Sequence, residues 1–109
     1  MANTFKLKSK NNIGVSTVGI YTVPASTTTV IIGVTAANVS GQGINVGIGI
    51  SRGSNVDDIS ILKNVPIPQG SSLEFMSGNK VVLETADTLT VNSDTNNSID
   101  ASLTIMEIT

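Results

Sequence analysis

Apolar and polar residues alternate along most of this chain, and the alternation stops at clusters of Gly, Pro, Ser, Asn and Asp. A period of two puts successive side chains on opposite faces of a strand. Ile44, Val46, Ile48 and Ile50 alternate with Asn45, Gly47 and Gly49. Leu73 and Phe75, Val81 and Leu83, and Leu89 and Val91 keep the same rhythm. Their punctuation is Pro66-Ile67-Pro68-Gln69-Gly70, Ser77-Gly78-Asn79 and Thr85-Ala86-Asp87, all rich in turn formers. The stretch 61–91 therefore predicts a β-meander in which consecutive strands lie side by side. The run 27–38 is the longest apolar one. It sets Val30, Ile32, Val34 and Ala36 on a core face and Ile31, Gly33, Thr35 and Ala37 on the other. With both faces largely apolar, it reads as a central strand covered on both sides or partly at an interface. The last run, Ile99, Ala101, Leu103 and Ile105 followed by Met106 and Ile108, changes phase and predicts a bulge there or a strand buried on both faces.

No segment sustains the i, i+3, i+4 apolar spacing of a helix. Short strands at a spacing of roughly ten residues predict an antiparallel β-sandwich, jelly-roll or Ig-like, with about eight strands and essentially no helix. The 109 residues make one domain. Residues 1–12 read as a polar N-terminal arm or edge strand, and 13–109 as the sandwich. In the arm Lys6, Lys8 and Lys10 share one strand face and Phe5 and Leu7 the other. Lysines on an edge strand discourage edge-to-edge aggregation, and alternatively they dock the arm on an acidic partner.

Composition narrows the function more by what is missing than by what is present. Aromatic residues are 3% of the chain, so Val, Ile, Leu and Ala must build the core. Charged residues are 13%, about half the usual fraction of about 25%. Copies of such a protein repel one another weakly, which suits packing against neighbours. Six basic residues and a net charge of −2 leave no electrostatic footprint for nucleic acid. No apolar run approaches the roughly 18–20 residues of a membrane helix, and the first residues lack the apolar core of a signal peptide. The chain reads as soluble and made in the cytoplasm.

Histidine and cysteine are both absent. That removes Ser–His–Asp and Cys–His machinery and ordinary zinc sites. Asp57-Asp58 and the Asp94–Asp100 segment are the nearest approach to calcium loops. The second lacks the glycine that an EF-hand needs at its sixth position. No metal or other cofactor is expected, folding should not need one, and no catalytic residue can be named. Asn38-Val39-Ser40 and Asn96-Asn97-Ser98 match glycosylation sequons, read here as chance in a chain rich in Asn and Ser.

Four segments together resemble small virion structural proteins of tailed bacteriophages, especially those of marine and cyanobacterial phages. They are Tyr21-Thr22-Val23-Pro24-Ala25 with the Thr/Val run to Val34; Ala37-Asn38-Val39-Ser40; Leu62 to Glu74; and Lys80 to Leu89 with the terminal Glu107-Ile108. The resemblance implies a non-enzymatic component of the virion, foremost a capsid decoration or cement protein that binds the major capsid protein. Tail, neck or fibre components remain alternatives, as does a carbohydrate- or receptor-binding sandwich. It further implies virion proteins as partners, while low charge and the glycine-bared strand at Gly47 and Gly49 predict a homo-oligomer or lattice as the working form, with no nucleic acid or membrane. The candidate partner contacts are Lys6, Lys8, Lys10, Ile31, Gly47 and Gly49. The three lysines are expected to matter for attachment and little for folding.

Overall fold

The computed structural model describes residues 2–52, 58–75 and 81–109. Among the described residues nine strands run in chain order: β1 (Asn3–Ile13), β2 (Val18–Thr22), β3 (Thr28–Asn38), β4 (Ile44–Ser51), β5 (Ile59–Ile67), β6 (Ser72–Phe75), β7 (Val81–Leu83), β8 (Thr88–Ser93) and β9 (Ile99–Ile108). No described residue is helical. One sheet has the order β1-β9-β3-β6, with β7 also paired to β3; the other has the order β2-β8-β4-β5. All pairings are antiparallel. β6 pairs with one half of β3 and β7 with the other, so the two fill a single strand position. The chain crosses between the sheets at almost every connection, and this alternation is that of a two-sheet jelly roll.

The meander is thereby corrected. β5 and β8 lie in one sheet, β6 and β7 in the other, and none of these consecutive strands pairs with the next. Local alternation gives strands but carries no information on which strands neighbour one another. Within that stretch the turns are placed as the residues require. Ser71 N–H donates to the Pro68 carbonyl at 3.1 Å, with Gly70 at φ +74°. A positive φ at the third turn position calls for glycine. Asp87 N–H donates to the Glu84 carbonyl at 3.0 Å around Thr85-Ala86. Pro66 belongs to β5, at the edge of its sheet, where a missing N–H is tolerated. The expected turn at 77–79 lies outside the described residues.

The core sits between the sheets. Ile44, Val46, Ile48 and Ile50 of β4, Leu89 and Val91 of β8, and Leu103 and Ile105 of β9 are all buried in it. Leu83 is buried too, while Leu73 and Val81 pack against its margin. Two phase assignments change. β9 alternates without interruption, with Ile99, Ala101, Leu103, Ile105 and Glu107 all buried. The shift is in β3 instead: its register against β9 slips between Ile31 and Gly33, so Ile32 is the extra residue of a bulge. Before the bulge Thr29 and Ile31 face the core; after it Val34, Ala36 and Asn38 do. Val30 and Ile32 are therefore only half-buried, and Ile31, expected on a partner-facing surface, is fully buried.

Asn38 closes the end of β3. Its amide nitrogen donates to the carbonyls of Gln42 (2.8 Å) and Ile67 (3.0 Å), and its oxygen accepts from the amide and hydroxyl of Ser40. Both amide hydrogens are consumed in a buried position, so the folded chain does not present this sequon as an acceptor.

Candidate functional site

β1 is the edge strand of its sheet and pairs with β9 from Asn3↔Ile108 to Lys10↔Ala101. Directly opposed residues on antiparallel strands share a face. Lys6, Lys8 and Lys10 oppose Ile105, Leu103 and Ala101, so the lysines lie on the core side of the sheet. Edge position keeps their amines wet while their stems border apolar neighbours.

Lys6 completes a polar cluster. Its Nζ is 2.7 Å from Glu107 Oε1, and the Glu107 side chain is 7% exposed. The Tyr21 hydroxyl donates to Glu107 Oε2 at 2.5 Å and lies 2.8 Å from Thr29 Oγ1. Lys8 Nζ stands 6.0 Å above the Tyr21 ring, at the outer limit of a cation–π contact. The cluster joins β1, β9 and β3 of one sheet to β2 of the other. The Lys6 hydrogen bond, helped by the one from Tyr21, holds the Glu107 carboxyl below its usual range against the opposing effect of burial. Burial, and then the bond to Glu107, pushes the Tyr21 hydroxyl up to about 12. Glu107 was legible as an inward position once β9 keeps one phase. Its partners come from residues 86 or more positions away, which no local pattern reveals.

The opposite face of the same sheet carries an apolar row. Phe5 opposes Met106, Met106 opposes Val30, and Val30 opposes Val82. The four residues cross β1, β9, β3 and β7 in one line spanning about 14 Å at the usual strand spacing. Phe5 is 69% exposed and Val82 56%; Met106 and Val30 are half-buried. Leu7, 68% exposed, extends the patch along β1, and Ile108 extends it along β9. The nearest carboxylates in register on this face, Asp100 and Glu74, oppose Ala37 and Thr35 at the other end of β3. Lys10 borders an open depression of about 540 Å³ near that end, with Asn11, Thr35, Ala37, Asp100 and Ser102.

Gly47 and Gly49 lie on the outer face of the other sheet, opposed to Asn92 and Thr90 of β8. Both are half-buried and border an open hollow. A Cβ on Gly47 would stand 2.5 Å from Asn92 Oδ1, and one on Gly49 2.7 Å from the Ile59 carbonyl. The chain's own neighbouring strands use the room. The hollow beside them holds about 360 Å³, bordered by Ile48, Ile50, Asp58, Leu62, Lys63 and Asn64, with no aromatic ring among the described residues.

Arg52, with no assigned role in the sequence reading, clips two loops. Its Nε donates to Asp87 Oδ1 and its Nη2 to Glu84 Oε1, each at 2.8 Å. Asp87 raises the Arg52 pKa further, and Asp87 Oδ2 also accepts the Glu84 amide at 2.9 Å. The calcium candidates are dispersed. Asp58 accepts the Arg52 amide, Asp94 the Asn45 amide, and Asp100 the Asn12 amide. Asp57 lies outside the described residues. Among the described residues no three ligand-type side chains gather, and no buried side-chain polar atom lacks a hydrogen bond.

No family model and no curated protein matches this chain. Among solved structures the chain is similar in fold to a protein of Bacillus endospore appendages, described as a novel family of disulfide-linked pili. The TM-score is 0.59 at 15% identity, covering 99% of this chain and 87% of the other. At that identity the likeness shows a shared two-sheet fold.

Proposed function

We propose that this protein is a non-enzymatic structural subunit of an assembled particle, and that the particle is a tailed phage in which it decorates the head. The observation that carries the structural reading is the apolar row Phe5–Met106–Val30–Val82. An aligned apolar strip on the outer face of a sheet costs solubility unless something covers it. A second sheet packs on such a face at about 10 Å, as within a sandwich. The fold neighbour, a subunit of a pilus, supports a role in repetitive assembly. These 109 residues contain no cysteine, so copies joined through them are joined without disulfides. The four segments that resemble small phage virion proteins support the choice of particle.

The assignment to the head, with the major capsid protein as partner, is tested by locating the protein in an electron-microscopy map of the phage particle. Hundreds of copies on the head lattice are the expected result. A few dozen copies or fewer at the neck, baseplate or fibre would replace it with the tail reading. Absence from the particle would overturn the phage role. A carbohydrate-binding role predicts instead that glycans bind the hollow beside Gly47 and Gly49, and they should not.

A further inference from the structure

We propose that residues 3–10 form an exchangeable arm that leaves its own sandwich and completes that of a second copy of this chain. The arm is held by backbone pairing with β9 and gives the core no buried side chain. Asn3 to Lys10 are all exposed except Lys8, which is half-buried; Ile13 is the first buried residue of β1. Beyond the arm the chain is clamped. The Ile13 and Gly14 carbonyls accept from Ser98 and Ser93 N–H, each at 2.9 Å. Between arm and clamp the β1–β9 register shifts, across Lys10 to Ile13, and Asn12 sits at φ +54°. Asparagine tolerates that region best among residues with a side chain. One extra residue, a left-handed residue and a fixed anchor make Asn11-Asn12 a hinge, with arm and clamp on either side, and the exposed bond from the Asn12 amide to Asp100 Oδ1 (3.0 Å) is its latch.

The vacated place specifies its own occupant. Without the arm, Glu107 keeps Tyr21 but loses its only cation within 4 Å among the described residues, and β9 becomes a bare edge. In place, the arm both pairs this carboxylate and holds it 7% exposed, so its departure removes charge partner and cover together. The strand that refills the place must pair antiparallel with β9 and bring an amine opposite Ile105. The arm of a second copy does both. Exchange remakes the same contacts between molecules, which is what makes swapped dimers inexpensive. The inference rests on the assembly reading only for the presence of a second copy, and the two fail separately.

The native sequence has no cysteine, so paired cysteines report cleanly. Leu7 opposes Thr104, and both are exposed. Opposed residues lie within disulfide range. Full-length L7C and T104C, carrying different tags, are refolded together at high concentration and oxidised. Exchange predicts a covalent heterodimer. It also predicts none when V82C, exposed on the same face, replaces T104C. An L7C/T104C chain that closes only on itself, with no heterodimer from the mixture, overturns the proposal even if the protein associates by its faces. Equal linking of L7C to V82C and to T104C overturns it as well, in favour of face-to-face stacking. Failure of both the mixture and the double variant to link overturns it by removing the β1–β9 register on which it stands.

Discussion

The bulge in β3 makes a prediction that opposes the simplest reading of the sequence. Ile31 and Ile32 are adjacent and chemically identical, yet Ile31 is fully buried and Ile32 half-buried at the outer surface. Ile31→Ala removes three carbons from a closed core. At about 0.8 kcal/mol per buried methylene this costs about 2.4 kcal/mol, and the cavity left behind brings the total to about 3–5 kcal/mol. Ile32→Ala takes the same atoms from a half-wet site and should cost about 1 kcal/mol or less. For a domain near 100 residues each kcal/mol moves Tm by about 4–8 °C. Ile31→Ala should then melt at least 12 °C lower, as a rough lower figure on that scale, with Ile32→Ala staying within about 8 °C of the parent. Leu83→Ala, at another fully buried site, serves as the internal standard for a core truncation, at about 2–5 kcal/mol. Chemical denaturation with circular dichroism gives all three values. If Ile32→Ala is the costlier of the pair, β3 keeps an unbroken period of two and the bulge is misplaced.

Two further predictions concern the polar cluster at the β1 edge. Tyr21 is the only tyrosine and there is no tryptophan, so ultraviolet titration of the native protein reads it alone. The midpoint should lie near 12 and return to about 10 in denaturant. A raised folded-state value means stability that is full below pH 10 and declines as pH rises toward 12. Glu107 acts in the opposite sense: its lowered pKa contributes stability above the ordinary carboxylate range, lost as pH falls through the folded-state value. Glu107→Gln should cost about 1–3 kcal/mol at neutral pH. The gap to the parent in thermal melts should narrow in acid, and a gap constant from pH 7 to pH 2 would contradict the account.

Strand existence was legible wherever one face is wholly apolar. β4 alternates Ile44, Val46, Ile48 and Ile50 with small or polar residues, and all four are buried as read. β3 was misread because both its faces are apolar, which hides a one-residue slip; only its pairing with β9 shows where the phase turns over. The lysines were read correctly as sharing a face, but which face depends on pairing with β9. Their core-side position joins Lys6 to the fold, so changing Lys6, Lys8 and Lys10 together to Glu should lower Tm, because a carboxylate then meets Glu107. That contact gives Lys6 a part in folding that the sequence reading did not assign to it. Gly47 and Gly49 were read as partner contacts; what the sequence did not show is that Asn92 Oδ1 and the Ile59 carbonyl stand where a Cβ would be. The apolar row was invisible because its members come from four separate parts of the chain and meet only through register.

Sedimentation velocity over a wide concentration range, on the parent and on a Phe5→Asp/Val82→Asp variant, tests the central claim that the outer face of this sheet is an assembly surface. Both substituted residues are more than half exposed, so Tm should stay near the parental value. The parent should form species larger than a dimer as concentration rises, and the variant should stop at a dimer or below. Superimposable distributions for the two proteins, whether both monomeric or both assembled, would contradict it.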